Sequence, residues 1–453
     1  MRANRSAGLV AIAVAVAAIA LRAPAATACD PSIMAALDEK HVDDAHQLPP
    51  SEGPFDSHNV AMLGRLRIAD IGALTTRATN VWGYASPGGR EYAILGLSDG
   101  TAFVDVTDPG TPALVEVIDH PAACCSDVKT YLHYAFSVSE GPDNGLQIID
   151  MEFIDDGIVT LADTFRGADL TRAHTLFINE ESGYAYLCGA RNNPSNAGLF
   201  VVDVRDPLAA SFVGTWPNTY VHECQVVTYT SGPYAGREIA FLYTGLFDSQ
   251  LRIIDVTNKS DIRLIGSATY PNAEFTHQGW LSEDRRYVYV NDEFDEINNH
   301  TTTSTIVINV ADIEAPFYVK RFGTGLPSTD HNLMVKGDFL YEANYTSGLR
   351  IFRVHSPSFP VQVGWFDTHP ASDETGFHGA WGVYTGLPSG NILVSDIENG
   401  LFVFDVSDAL ASVQEDLPVS IWPGMTLMAL IIIGAGVFAL GRRDRACSES
   451  PFE

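Results

Sequence analysis

Five histidines stand out by their spacing: His174, His222, His277, His331 and His378, at steps of 48, 55, 54 and 47 residues. Each opens a short segment with alternating apolar residues, as in Ala173-His174-Thr175-Leu176-Phe177. Asn80 and Asp127 fall near the same place in two earlier segments. Imidazole suits zinc, iron, copper or nickel, whereas carboxylates suit calcium or manganese. Acidic residues recur further along these units, at Asp99, Glu140, Asp248, Asp396 and Glu398, and most densely in Asp292-Glu293-Phe294-Asp295-Glu296. His277, His331 and His378 with Asp292 and Glu293 form the candidate metal set. With an open coordination position, such a set supports metal-assisted hydrolysis. Asp127, His174, His222, Glu223, Asn344 and Asp396 form the candidate ligand-binding set.

Each of these residues has a plainer reading. A histidine repeated in five units can hydrogen-bond a neighbouring backbone and fix register, since one ion cannot use five dispersed rings. The acid run can be a solvated loop, and it lacks the glycine-spaced pattern of an EF-hand calcium loop. Trp280 and Trp381 follow His277 and His378 by three residues and read as packing.

What must position these residues is a repeat. Its mark is a short strand ending in Asp or a substitute: Thr101-Ala-Phe-Val-Asp105, Leu146-Gln-Ile-Ile-Asp150, Leu199-Phe-Val-Val-Asp203 and Leu251-Arg-Ile-Ile-Asp255. Thr305-Ile-Val-Ile-Asn309, Leu349-Arg-Ile-Phe-Arg353 and Leu401-Phe-Val-Phe-Asp405 continue it. The steps are 45, 53, 52, 54, 44 and 52 residues. A period near 50 with only strand patterns inside predicts an all-β fold, a seven-bladed β-propeller over 59–410. The seventh unit stops after Asp405-Val406-Ser407-Asp408 without an outer strand. The segment Asn59-Val60-Ala61-Met62-Leu63-Gly64-Arg65-Leu66 has no blade of its own and is expected to complete the seventh. Closure of that kind removes two free sheet edges. Inner-strand starts then gather at one mouth of a central channel, with the loops between second and third strands on the same face.

The ends read as addresses. Arg2 and Arg5 precede an apolar run and the small residues Ala26-Thr27-Ala28, so 1–28 is expected to be a signal peptide. A lead-in covers 29–58, with a short helix expected over 32–39. The segment 411–420 reads as a linker with a loose sorting motif, and 421–440 as an uncharged transmembrane helix. Arg442, Arg443 and Arg445 follow, placing the tail 441–453 in the cytoplasm. The chain is then exported and tethered to the membrane, or released after processing. Cys188 and Cys224 can pair if strands bring them together, whereas Cys124-Cys125 can bridge only with strain.

Composition narrows the function. With 27 Lys and Arg against 56 Asp and Glu, the net charge is −29. A field of that sign repels phosphate backbones, so no nucleic-acid partner is expected. The sequence holds no phosphate loop and no spacing that selects a catalytic triad.

The phrases Trp82-Gly83-Tyr84, Gly89-Arg90-Glu91-Tyr92-Ala93, His277-Gln278-Gly279-Trp280, Asp330-His331-Asn332-Leu333 and Ala343-Asn344-Tyr345-Thr346-Ser347-Gly348-Leu349 resemble those of the bacterial choice-of-anchor B proteins, which contain LVIVD repeats. The resemblance runs from about residue 63 to 408. It implies a cell-surface propeller with a C-terminal anchor, and brings no catalytic residues. The expected function is therefore a binding module for a cell-surface or extracellular ligand, using an acidic, His-rich channel mouth. The alternative is a metal-dependent hydrolase at the same mouth, with zinc, manganese or calcium as the divalent metal.

Overall fold

The computed structural model describes residues 50–412, except 52, 73–74, 192–196 and 246–247. The expected signal peptide, the helix at 32–39, the apolar span 421–440 and the basic tail lie outside the described residues. Within them, no helix is long and apolar enough to cross a membrane.

The described residues form seven antiparallel sheets, the blades of a β-propeller. Blades I to VI span 78–119, 126–165, 175–216, 223–268, 276–323 and 332–366. In each, four strands run in chain order from the axis to the rim. Blade VII takes its three inner strands from Ala380–Tyr384, Ile392–Asp396 and Gly400–Asp405, and its outer strand from Ala61–Leu66. The N-terminal strand therefore closes the last blade, as the unfinished seventh unit predicts. Ala61 pairs with Asp405 and Leu66 with Leu401.

One part of the lead-in does more than expected. Ser57–His58 pairs with Phe366 and Trp365 and adds a fifth strand to blade VI. Phe55 packs on Phe366 and Phe402, with ring centroids 5.5 and 5.6 Å apart. The entering chain thus spans the seam between blades VI and VII.

The repeat has a local cause. Third strands are buried on both faces between neighbouring blades, so they read as mostly apolar runs, broken in two of them by Gln147 and Arg350. Outer strands face solvent on one side, and Ser211–Trp216 and Arg263–Ala268 share one alternating exposure pattern. The terminal Asp turns the chain between them. Its Oδ1 accepts the backbone N–H two residues on: Thr107 to Asp105 at 2.9 Å, Glu152 to Asp150 at 2.8 Å, and Ser407 to Asp405 at 2.8 Å. Asp203, Asp255 and Asn309 do the same. These are Asx turns, which only a short side chain carrying an acceptor oxygen can close. Gly64 and Gly214, in outer strands, let the next blade dock; a Cβ there would run into the carbonyls of Pro109 and Lys259.

Side chains near the axis stitch adjacent blades. Thr175 Oγ1 donates to His222 O at 2.9 Å, and the Gln278 amide exchanges two 3.0 Å bonds with the Leu333 backbone. Cys188 and Cys224 are free thiols in one core between blades III and IV. Cys124 and Cys125 are also thiols, with sulfurs 3.1 Å apart.

Candidate functional site

The inner strands bring one residue per blade to the axis. Asn80, Asp127, His174, His222, His277, His331 and Trp381 line a space of about 10 Å³, with Glu223 beside them. That is room for about one water. Four imidazoles form an arc through successive blades. Ring centroids are 4.2 Å apart for His174 and His222, 4.3 Å for His222 and His277, and 4.4 Å for His277 and His331. Trp381 takes the next place, 4.8 Å from His331.

The rings are oriented by the backbone of the next blade. His331 Nδ1 donates to Trp381 O at 2.6 Å, and His222 Nδ1 to His277 O at 3.2 Å. A carbonyl only accepts, so Nδ1 carries the proton in both rings. In the neutral ring the Nε2 lone pair is then the donor atom for a ligand. Glu293 faces this arc. Its Oε2 lies 3.6 Å from His277 Nε2 and its Oε1 3.7 Å from His331 Nε2. Donor atoms of His222, His277 and Glu293 all fall within 4.8 Å of one another. Glu293 is 0% exposed, and burial pushes its carboxyl up to about 7.

A residue outside the expected sets completes the group. Tyr345 donates its hydroxyl to Glu293 Oε1 at 2.7 Å. Tyr345 is fully buried and holds φ at 38°, in the left-handed region that a bulky residue adopts at a cost. Paired backbone bonds to Ala380, at 3.0 and 2.9 Å, hold it there. Phe275, Phe294, Phe377 and Tyr220 cluster with Tyr345 and Trp381 over the arc. Phe275 meets the His222 ring edge-on at 5.0 Å. The expected open mouth is thus a roofed chamber.

Other expected residues lie apart from this group. His378 donates to Glu398 Oε1 at 2.7 Å and stacks on His369 at 6.0 Å. A bulge between Ala380 and Gly382 puts Trp381 in the seventh axial place instead. Asp292 accepts from Tyr270 Oη at 2.9 Å and from the N–H groups of Glu274 and Phe275, so it anchors a loop. Asn344 donates to Glu342 Oε2 at 2.8 Å. Asp396 accepts the N–H of Asn399 at 2.8 Å, and burial raises it to about 7.

On the other side of the ring, His174 donates from Nδ1 to Glu140 at 2.9 Å. Burial opposes its charge, but the Glu140 carboxylate overrides this and lifts it to about 9. Burial, then the Asp127 charge, pushes Glu223 up to about 8. Asp127 itself is saturated. Oδ1 accepts from Asn80 Nδ2 and Lys129 Nζ, both at 2.7 Å, and from Val128 N at 2.8 Å. Oδ2 accepts from Leu176 N and Lys129 Nζ, both at 2.9 Å.

One neighbour of the chamber sets a pH dependence. Glu342 is 1% exposed and accepts from Thr305 Oγ1 in the adjacent blade. Burial raises it from 4.5 to about 7. Its folded value exceeds its unfolded one, so its contribution is intact below 4.5 and declines as pH rises through 7. The full cost above that range is about 3 kcal/mol at most. Urea denaturation at about pH 5 and about pH 8 should show wild type losing more stability than Glu342→Gln over this window. Parallel losses in the two proteins would refute this assignment.

Comparison with known proteins gives a repeat and a fold. The LVIVD repeat matches residues 240–269, in blade IV. No curated protein matches. Among solved structures, a putative 6-phosphogluconolactonase from Bacteroides fragilis is 14% identical, with TM-score 0.46, covering 71% of this chain and 87% of its own. U3-55K is 10% identical, with TM-score 0.49, covering 76% and 98%. A Lactobacillus plantarum protein is 12% identical, with TM-score 0.46, covering 71% and 89%. None of these likenesses transfers an activity. With the matched repeat in blade IV and six further blades built to the same plan, the chain is a seven-bladed β-propeller that carries an LVIVD repeat.

Proposed function

We propose that this propeller is a binding module that holds a divalent metal at its axis, with His222, His277, His331 and Glu293 as ligands. The observation that carries this reading is the convergence of those side chains from blades IV, V and VI, with the three imidazoles lining a space of about 10 Å³ and Glu293 against them. Donors around a tetrahedral ion bound at 2.0–2.1 Å stand about 3.3 Å apart. The 3.6 and 3.7 Å separations between Glu293 and two imidazoles are close to that spacing. Three nitrogens and one carboxylate favour zinc, with manganese second. The aromatic roof favours holding the ion over turning over a substrate, which ranks the hydrolase alternative lower. The apolar segment 421–440 would tether the propeller at the cell envelope, where an extracellular ligand is the expected partner.

Full-length protein extracted in detergent, exposed to zinc or manganese and dialysed should retain about one equivalent. His277→Ala and Glu293→Gln, checked for folding by circular dichroism, should each retain less than about one tenth. The reading fails if wild type retains so little, or if both folded variants keep the full equivalent.

A further inference from the structure

A second group of donors lies beside the axial chamber and shares none of its side chains. Asp295 and Glu296 open the short helix Asp295–Asn299 in the loop between the second and third strands of blade V. Asp330 stands just before the inner strand of blade VI, Asn332–Lys336. Their exposures are 0%, 1% and 0%. One oxygen from each falls within 4.8 Å of the others.

Their hydrogen bonding is incomplete. Asp295 is served by Arg321 and, at 3.4 Å, by Thr301 Oγ1. Glu296 Oε2 receives the Asp330 N–H at 3.5 Å, while Oε1 has no hydrogen-bond partner. Both carboxylate oxygens of Asp330 lack a partner as well. Three buried oxygens of this group therefore lack a donor, and Arg321 is the cation bound to it. Burying a carboxylate without compensation is costly, so these oxygens call for protons or a metal ion. Burial and mutual repulsion do raise Glu296 to about 10 and Asp330 well above the carboxylate range. Protons are thus the competing occupant.

We propose that Asp295, Glu296 and Asp330 form a calcium site that braces the seam between blades V and VI. The donor set is all oxygen, which suits a hard cation and sets it apart from the imidazole-rich chamber. Calcium accepts oxygen ligands at 2.3–2.6 Å in flexible geometry, so adjacent donors stand about 3.5 Å apart and small movements would close the group. Three carboxylates against one guanidinium leave two negative charges, which one divalent cation neutralises. This inference goes beyond the axial reading and does not depend on it.

Calorimetric titration of full-length, chelator-treated protein with calcium chloride tests it. Wild type should bind one ion with a dissociation constant below about 1 mM, the range of extracellular calcium modules. Its melting temperature should rise with calcium. Asp330→Asn and Glu296→Gln should each weaken binding at least about tenfold, because each removes a ligand charge. Both should melt no lower than wild type without calcium, since each puts a neutral amide where wild type must hold a protonated carboxyl. His277→Ala should keep the calcium response, so loss of the axial metal and loss of this site are read separately. Absence of binding by wild type at about 1 mM overturns the proposal whatever the variants do, and leaves the carboxylates to protons. A calcium response that persists in both variants also overturns it.

Discussion

Removal of residues 1–66 is expected to abolish cooperative unfolding of the propeller. Without Ala61–Leu66, the strand Gly400–Asp405 becomes a bare edge, although five of its six residues are buried in the closed ring. The truncation also deletes Phe55 and Val60 from the blade VI–VII core and Leu66 from the core between blades VII and I. Arg65 disappears with them, and its Nε and Nη2 each donate to Asn399 at 2.9 Å. Two buried apolar side chains, the half-buried Phe55 and a strand ladder together exceed about 5 kcal/mol, a large part of the 5–15 kcal/mol typical of a folded domain. Thermal melting followed by circular dichroism should lose its sharp transition, and the protein should self-associate through the exposed edge. A truncated chain that melts with the wild-type midpoint would show that closure does not hold the ring.

Asp127→Ala is expected to destabilise the protein by about 3–5 kcal/mol, the cost of stranding one member of a buried ion pair. Lys129 would lose its partner while its side chain stays 8% exposed, wedged 4.8 Å from the Trp82 ring centroid. Asn80 in blade I and Leu176 in blade III would lose their shared acceptor. Replacing both charges, as Asp127→Asn with Lys129→Met, should cost much less than Asp127→Ala alone. Urea denaturation of the variants measures these differences. A loss below about 1 kcal/mol for Asp127→Ala would return this residue to the ligand-binding role that its axial place suggests.

Architecture was legible because each blade states its own rules locally. An apolar run followed by Asp encodes a doubly buried strand and the Asx turn that ends it. Ring closure was legible from an outer strand that unit seven lacked. The two-residue strand at Ser57–His58 has no pattern to find, since two residues carry no period. The histidine arc was legible as far as His331 and then went wrong by three residues. The bulge at Ala380 and Gly382 places Trp381 at the axis, so the last step is 50 residues rather than 47. Glu293 was found as an acid near the arc, whereas Tyr345 was hidden because its place depends on a left-handed backbone that no local pattern announces. The roof was also hidden: Tyr220, Phe275, Phe294 and Phe377 come from separate loops that only the toroid assembles.

The pairing of Ala61 with Asp405 sets an order of events during synthesis. A ribosome adding about 5–20 residues per second needs roughly 20–70 s to make the chain between them. For that interval the strand Ala61–Leu66 has no mate, and the growing sector array cannot become a circle. A tether after residue 412 would leave from where both ends meet, since Ala409 N–H bonds Asn59 O at 3.1 Å. The finished disc therefore carries both ends of the described chain at one point on its circumference.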